Sequence, residues 1–249
     1  MAETEFYGGY NQEHSSSEST ALSIAKVFGY MFAGLLITAV VALGLGALFR
    51  YVIYDTEESL AGSTALIVTL ICSSVAILIF SLIIQYRVLR GHKSVLVPAI
   101  IYAILMGVML SSLSFCLPWA ILGTTFLVTA LIFGLMSLIG LLSKGKMNGL
   151  AITAIGLVGG AGILSLVAWI EYLIFPEVAM WLFFVINLVL FAAMMLMTIW
   201  DIAHIKNICQ RGLDTPNISL YCAFTLYNDF IYLYLRILRV VIILFGNKK

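Results

Sequence analysis

SVLVPAIIYAILMGVMLSSLSFCLPWAILGTTFLVTALIFGLMSLIGLLS, residues 94–143, runs for 50 residues between Lys93 and Lys144 without a single charge. One helical crossing of a bilayer takes about 20 apolar residues, so this stretch holds more than one. Pro118–Trp119 sits near its middle. Proline has no amide hydrogen to donate and tryptophan favours the headgroup layer, so the stretch divides there into a third and a fourth helix. The same punctuation by charge divides the rest of the chain. Lys26 and Arg50 bound a first helix (VFGYMFAGLLITAVVALGLGAL), and a second runs from about Ser63 to Tyr86, between Glu58 and Arg87. A fifth runs from about Asn148 to Ile170, a sixth from about Val178 to Ile205, and a seventh from about Ser219 to Phe245.

Composition points the same way. Of 249 residues 63% are hydrophobic and 10% charged, against roughly 25% charged in soluble domains. Too few polar side chains exist to cover a water-soluble globule of this length, so the expected class is an all-α integral membrane protein, a seven-helix transmembrane bundle over residues 24–249. Residues 1–23, acidic and Ser-rich, lack the basic n-region and cleavable apolar core of a signal peptide and read as a disordered tail. A net charge of +1 offers no basic stripe for nucleic acid. Cys72, Cys116, Cys209 and Cys222 have no paired spacing, so neither a disulfide framework nor a zinc site is expected.

Orientation is read from the short loops. With the N-terminus in the cytoplasm, that side carries Arg87, Arg90, Lys93, Lys144, Lys146, Lys206 and Arg211, and the other carries Asp55, Glu57, Glu58, Glu171 and Glu177 with only Arg50 basic. Seven crossings would leave Lys248 and Lys249 outside, against this bias. Either the short tail escapes it, or the seventh helix is re-entrant. Small-residue spacings at Gly44/Gly46, Gly156/Gly159/Gly160/Gly162 and Ala192/Ala193 are expected to let helices pack closely.

Two residues do not belong in hydrocarbon. An ionised side chain at the bilayer centre costs about 2.5–3.5 kcal/mol on insertion scales, yet Asp201 lies in MTIWDIAHIK and Asp229 in LYNDFIYLYLRILR. Asp201 falls one to two turns inside the end of the sixth helix, and Asp229 about ten residues, or about 15 Å, into the seventh. The two helices are sequential and antiparallel, so the carboxyls share one half of the membrane. If they meet they cannot both ionise cheaply, and the pair holds one proton between them. Such a dyad could sense pH, bind a hard cation such as Ca²⁺ transiently when fully ionised, or serve as acid and base. Plainer readings are a solvated helix end for Asp201, paired with His204 or Lys206, and a static salt bridge for Asp229. His204 and Arg236 are candidates for the same polar cavity. Arg87 and Arg90 are candidate counter-ions or simple cytoplasmic anchors, and Arg239 reads as a snorkelling side chain.

With those residues in view the chain resembles the transmembrane Bax inhibitor motif family, including its bacterial members. The likeness runs from AKVFGYMFAGLLITAVVAL to LRVVIILFGNKK and rests chiefly on WDIAHIKN, TLYNDFIYLYLRIL and IFGLMSLIGLLSK. Asn228 and Tyr232 depart from the family's usual apolar and Asn residues around the second aspartate. The resemblance implies a last helix that is central and wrapped by the other six. It also implies a pH-sensitive calcium leak channel with Asp201 and Asp229 as proton sensor, and a closing arginine matched by Arg87 or Arg90. The partners expected on this reading are the lipid bilayer, Ca²⁺ and H⁺, with no resident cofactor, no catalysis and a bacterial inner membrane as location. Two other classes stand beside it. One is a non-conducting regulatory protein acting on a membrane protease or stress pathway. The other is an intramembrane aspartyl protease, disfavoured because Leu-Tyr-Asn precedes Asp229 where those enzymes carry Gly-x-Gly.

Overall fold

Each uncharged run becomes one helix. In the computed structural model the order is α1(Ala2–Asp55), α2(Ser59–Arg90), α3(Leu96–Cys116), α4(Trp119–Leu142), α5(Asn148–Ile174), α6(Pro176–Gln210) and α7(Pro216–Gly246). The structure describes residues 2–55, 59–90, 94–143, 148–174, 176–213 and 215–246. Side chains are described within 19–51, 67–90, 94–114, 117–143, 149–166, 168, 182–213 and 215–243. No strand occurs among the described residues. Among the described residues six helices are long and apolar enough to cross a membrane, and this is a multi-pass helical membrane protein. The division at Pro118 is as expected: α3 stops at Cys116, whose turn is closed by Leu117 N donating to Leu113 O at 2.9 Å, and α4 starts at Trp119. The helix α1 reaches back to Ala2, through the residues expected as a tail, whose side chains before Ser19 lie outside the described set. Lys93, Lys144, Lys146, Glu57, Glu58, Lys248 and Lys249 also lie outside it.

The chain divides into two units, Met1–Trp119 with Ile205–Tyr227, and Ala120–His204 with Asn228–Lys249. In the first, α3 packs against both α1 and α2. Glycine decides where α1 and α3 touch: a Cβ on Gly107 would lie 2.9 Å from Thr38 O, and one on Gly46 would lie 2.5 Å from Ser114 Cβ. Tyr102, 2% exposed, sets its ring edge-on to Phe224 at 4.8 Å and to Tyr227 at 6.1 Å. Thr38 Oγ1 donates its one hydrogen to Ala103 O at 3.0 Å, so in the 2.6 Å bond between Thr38 and Tyr227 the phenol is the donor. That asymmetry orders two variants. Tyr227→Phe leaves Thr38 bonded and costs about 1 kcal/mol; Thr38→Val strands a buried phenol and costs about 1–3 kcal/mol. Thermal melts in detergent should rank them so, and equal losses would contradict the assignment.

The second unit is built on one face of α4, formed by Leu122, Thr125, Thr129, Phe133, Ser137 and Gly140. Phe126 and Phe133 lie 5.3 and 5.5 Å from the ring of Phe230 on α7. On the same face a Cβ at Gly140 would meet Ile199 O and Ile202 Cβ, each at 2.9 Å, so α4 and α6 touch through their backbones there. Ala161 and Ala168 of α5 pack against Ile186 of α6. Hydroxyls in the span bond back onto their own helix, as Thr129 to Thr125 O (2.7 Å), Ser137 to Phe133 O (2.8 Å) and Thr198 to Met194 O (2.9 Å), which satisfies them without water.

The small residues expected to mediate packing divide sharply. Gly46 and Ala193 are buried at contacts, but at Gly44, Gly156, Gly159, Gly160 and Gly162 an added Cβ would meet nothing within 4 Å. The α5 stripe is therefore not a close-packing face, and Gly107 and Gly140, outside the expected set, carry that role. The reason is the solvent: hydrocarbon accepts a glycine as readily as a neighbouring helix does, so spacing alone does not say which it meets.

Candidate proton-sharing site

The site is made by the α6–α7 hairpin. At the end of α6, Gly212 takes φ 64°, Gly212 N donates to Cys209 O at 3.1 Å and Leu213 N to Ile208 O at 3.2 Å. These two bonds around a left-handed glycine are the Schellman closure. Thr215 then caps α7, its Oγ1 accepting from Ile218 N at 3.4 Å, with Pro216 in the first helical position where its missing donor costs nothing. The turn is short and both ends are fixed, so residues on the two helices face each other at set depths. Asp201 lies nine residues before Gln210, about 14 Å along α6, and Asp229 thirteen residues after Pro216, about 20 Å along α7. Both are deeper than the sequence alone implies, because α6 runs five residues further and α7 starts three residues earlier than expected.

The two carboxyls meet. A side-chain hydrogen bond joins Asp201 to Asp229, and each residue is 7% exposed. Two carboxylates have no hydrogen between them, so this bond exists only when one group is protonated. The other oxygen of Asp229, Oδ2, is buried without a partner. Among the described residues no group of three or more His, Cys, Asp or Glu side chains is gathered to hold a metal ion. The pair offers two carboxyl groups where Ca²⁺ takes six to eight oxygens.

The neighbours expected of this pair have other companions. His204 is exposed, its ring stacked on Trp200 at 5.1 Å with 8° between planes, and so turned away from the buried side of α6. Arg236, half-buried, donates through Nη1 to Asn187 Oδ1 at 3.2 Å. Arg87 donates to Ser94 O at 3.0 Å, closing the connection from α2 to α3, and Arg90 lies 4.6 Å over the Tyr86 ring. Reasoning from charge alone misses Asn187, which is 1% exposed. Its signal is present in the chain, since one amide in the apolar run WLFFVINLVLF needs a polar partner as surely as an acid does.

Among the described residues α7 is the most enclosed helix. From Ser219 to Leu238 only Tyr232 is exposed, whereas the spans of the other six are 11–39% buried. It also runs unbroken for 31 residues, about 46 Å, with no interruption of the kind re-entry requires. A multi-pass bundle whose enclosed last helix carries one half of a buried carboxyl couple is the class that fold and site define. Residues 20–247 match the family described as inhibitor of apoptosis-promoting Bax1, and the chain belongs to that family. It is similar to the inner membrane protein YbhL of Escherichia coli strain K12, 31% identical over 237 residues that cover 91% of this chain and 92% of the relative. YbhL of Escherichia coli O6:H1 is similar to the same extent. No solved structure matches the chain.

Proposed function

We propose that the protein is a pH-sensitive leak for cations, Ca²⁺ foremost, in a bacterial inner membrane, gated by the proton that Asp201 and Asp229 share. The observation that supports it is the hydrogen bond between two buried carboxyls. With the proton in place the couple carries at most one negative charge and is tied shut by its own bond. Loss of the proton removes the bond, adds a charge and sets two carboxylates against each other. That gives a local switch with a built-in direction: acid closes, alkali opens. The free Oδ2 of Asp229 is the acceptor through which a cation or a water would first engage the couple. Location follows the relative's description as an inner membrane protein. The cytoplasmic N-terminus follows the basic last turn of α2, with Arg87 and Arg90, and Lys206 and Arg211 near the end of α6, which alternation puts on the same side. The reading is of a conduit rather than a catalyst.

The test is flux into liposomes holding the purified protein, with Ca²⁺, Na⁺ and H⁺ compared from acid to alkaline pH. Calcium entry should rise with pH and exceed that of empty liposomes throughout the alkaline range. Entry that ignores pH, or none at all, would overturn the proposal.

A further inference from the structure

A second polar group of residues in the Ala120–His204 and Asn228–Lys249 unit holds buried donors that no protein acceptor meets. Arg236 donates to Asn187 Oδ1, and that bond fixes which way round the amide sits, because a guanidinium cannot donate to an NH₂ group. Asn187 Nδ2 is thereby turned away from Arg236, and it is buried with no acceptor. Thr125 is 1% exposed and its Oγ1 has no partner either, in contrast to Thr129 and Ser137 on the same face, whose hydroxyls are spent on carbonyls of their own helix.

Two independent registers bring Thr125 to the level of the other two. On α7, Phe126 sits against Phe230 at 5.3 Å and Tyr234 at 6.4 Å, so its neighbour Thr125 lies within about one turn of Arg236. On α6, Gly140 sits against Ile199 and Ile202. α4 and α6 run in the same direction, so fifteen residues back from Gly140, at Thr125, the matching level on α6 is within about three residues of Asn187. A fixed positive charge, an amide N–H and a hydroxyl thus lie at about one level of the three helices, and the last two are buried without a partner. The charge of Arg239, a turn further on, acts on Arg236 as well, and the acid nearest to Arg236 along α7 is Asp229, already bonded to Asp201.

We propose that Thr125, Asn187 and Arg236 form a binding site for a small monovalent anion of chloride size. A cation half-buried in a membrane protein favours a countercharge, and an anion seated here would accept from the guanidinium, Asn187 Nδ2 and Thr125 Oγ1 together, with charge-assisted bonds. It would hold α4, α6 and α7 at one level, as a ligand that binds only the folded state does.

Full-length protein in detergent is melted in chloride and in gluconate at equal ionic strength. Chloride should raise the midpoint by about 4 °C, saturably. Arg236→Gln and Asn187→Leu should abolish the difference, and Thr125→Val should halve it or more. Asn187→Asp supplies the negative charge covalently, so this variant should melt alike in both salts, at or above the wild type in chloride. It also keeps the test open should Asn187→Leu fail to fold. Asp229→Asn should retain the chloride effect, which separates this site from the carboxyl couple. Equal midpoints for the wild type in the two salts, as expected if only water fills the cluster, would overturn the site, as would a chloride effect that survives Arg236→Gln.

Discussion

Asp229→Asn should abolish the pH dependence of cation flux while leaving the protein folded. The amide is close to the carboxyl in size and brings permanent N–H donors, so it can make the bond to Asp201 that the shared proton makes now. Asp201 then accepts that bond as a carboxylate through the neutral and alkaline range, and the couple is held there at one negative charge with no shared proton left to lose. Asp201→Asn should do the same from the other side. In the wild type the loss of the proton adds one carboxylate charge to the path. Such a charge about 4 Å from a cation is worth about 4 kcal/mol per unit charge at an effective dielectric of 20, and about 1.4 kcal/mol in a barrier is tenfold in rate. A change of at least about tenfold in Ca²⁺ entry between acid and alkaline pH is therefore expected of the wild type, and a flat profile of both variants. Wild-type pH dependence in either single variant would refute the switch, because each lacks one of the two groups that must exchange the proton.

The parts of this arrangement that the amino-acid order announces are those for which the bilayer sets a penalty. Asp201 and Asp229 stand out because acids are expensive in hydrocarbon, and Pro118 because a helix cannot donate from a proline; the break at Pro118 agrees with the structure. Helix ends are less legible. The last five residues of α6 and the first three of α7 are polar enough to read as loop, and the Gly212 closure and Thr215 cap that convert them to helix act through backbone geometry, which hydropathy does not register. Packing partners are the least legible. In a soluble bundle the apolar stripe says which face is inside, but a membrane helix is apolar all round. Gly46 and Gly44 look alike in the chain, yet one meets Ser114 and the other meets nothing. Asn187 and Thr125 escape a reading by charge because they are neutral, although a buried amide or hydroxyl without a partner breaks the same rule as a buried charge at smaller cost.

Gly140→Ala should destabilise the protein and spoil the pH response, whereas Gly160→Ala should do neither. A methyl group at Gly160 enters open space, and the residue gains up to about 1 kcal/mol of helix propensity over glycine. At Gly140 the same gain is outweighed. The new Cβ falls 2.9 Å from Ile199 O and 2.9 Å from Ile202 Cβ, and the first of these is backbone, so relief requires α6 to move as a whole; overpacking of this kind costs about 1–3 kcal/mol. The direction of that movement matters for function. α4 holds α7 through Phe126 and Phe133 against Phe230, the residue after Asp229, and holds α6 through Gly140 against the turn that contains Asp201. Pushing α6 off α4 carries Asp201 with it and leaves Asp229 in place, which stretches the hydrogen bond on which the shared proton depends. A carboxyl couple pulled apart by even about 1 Å loses its bond, and each group then titrates alone. The expected result is a lower melting midpoint for Gly140→Ala than for the wild type, with a weakened or shifted flux profile, and Gly140→Leu more severe in both. A Gly140→Leu protein that stays folded and keeps the wild-type profile would show that α4 does not set the distance between the two carboxyls.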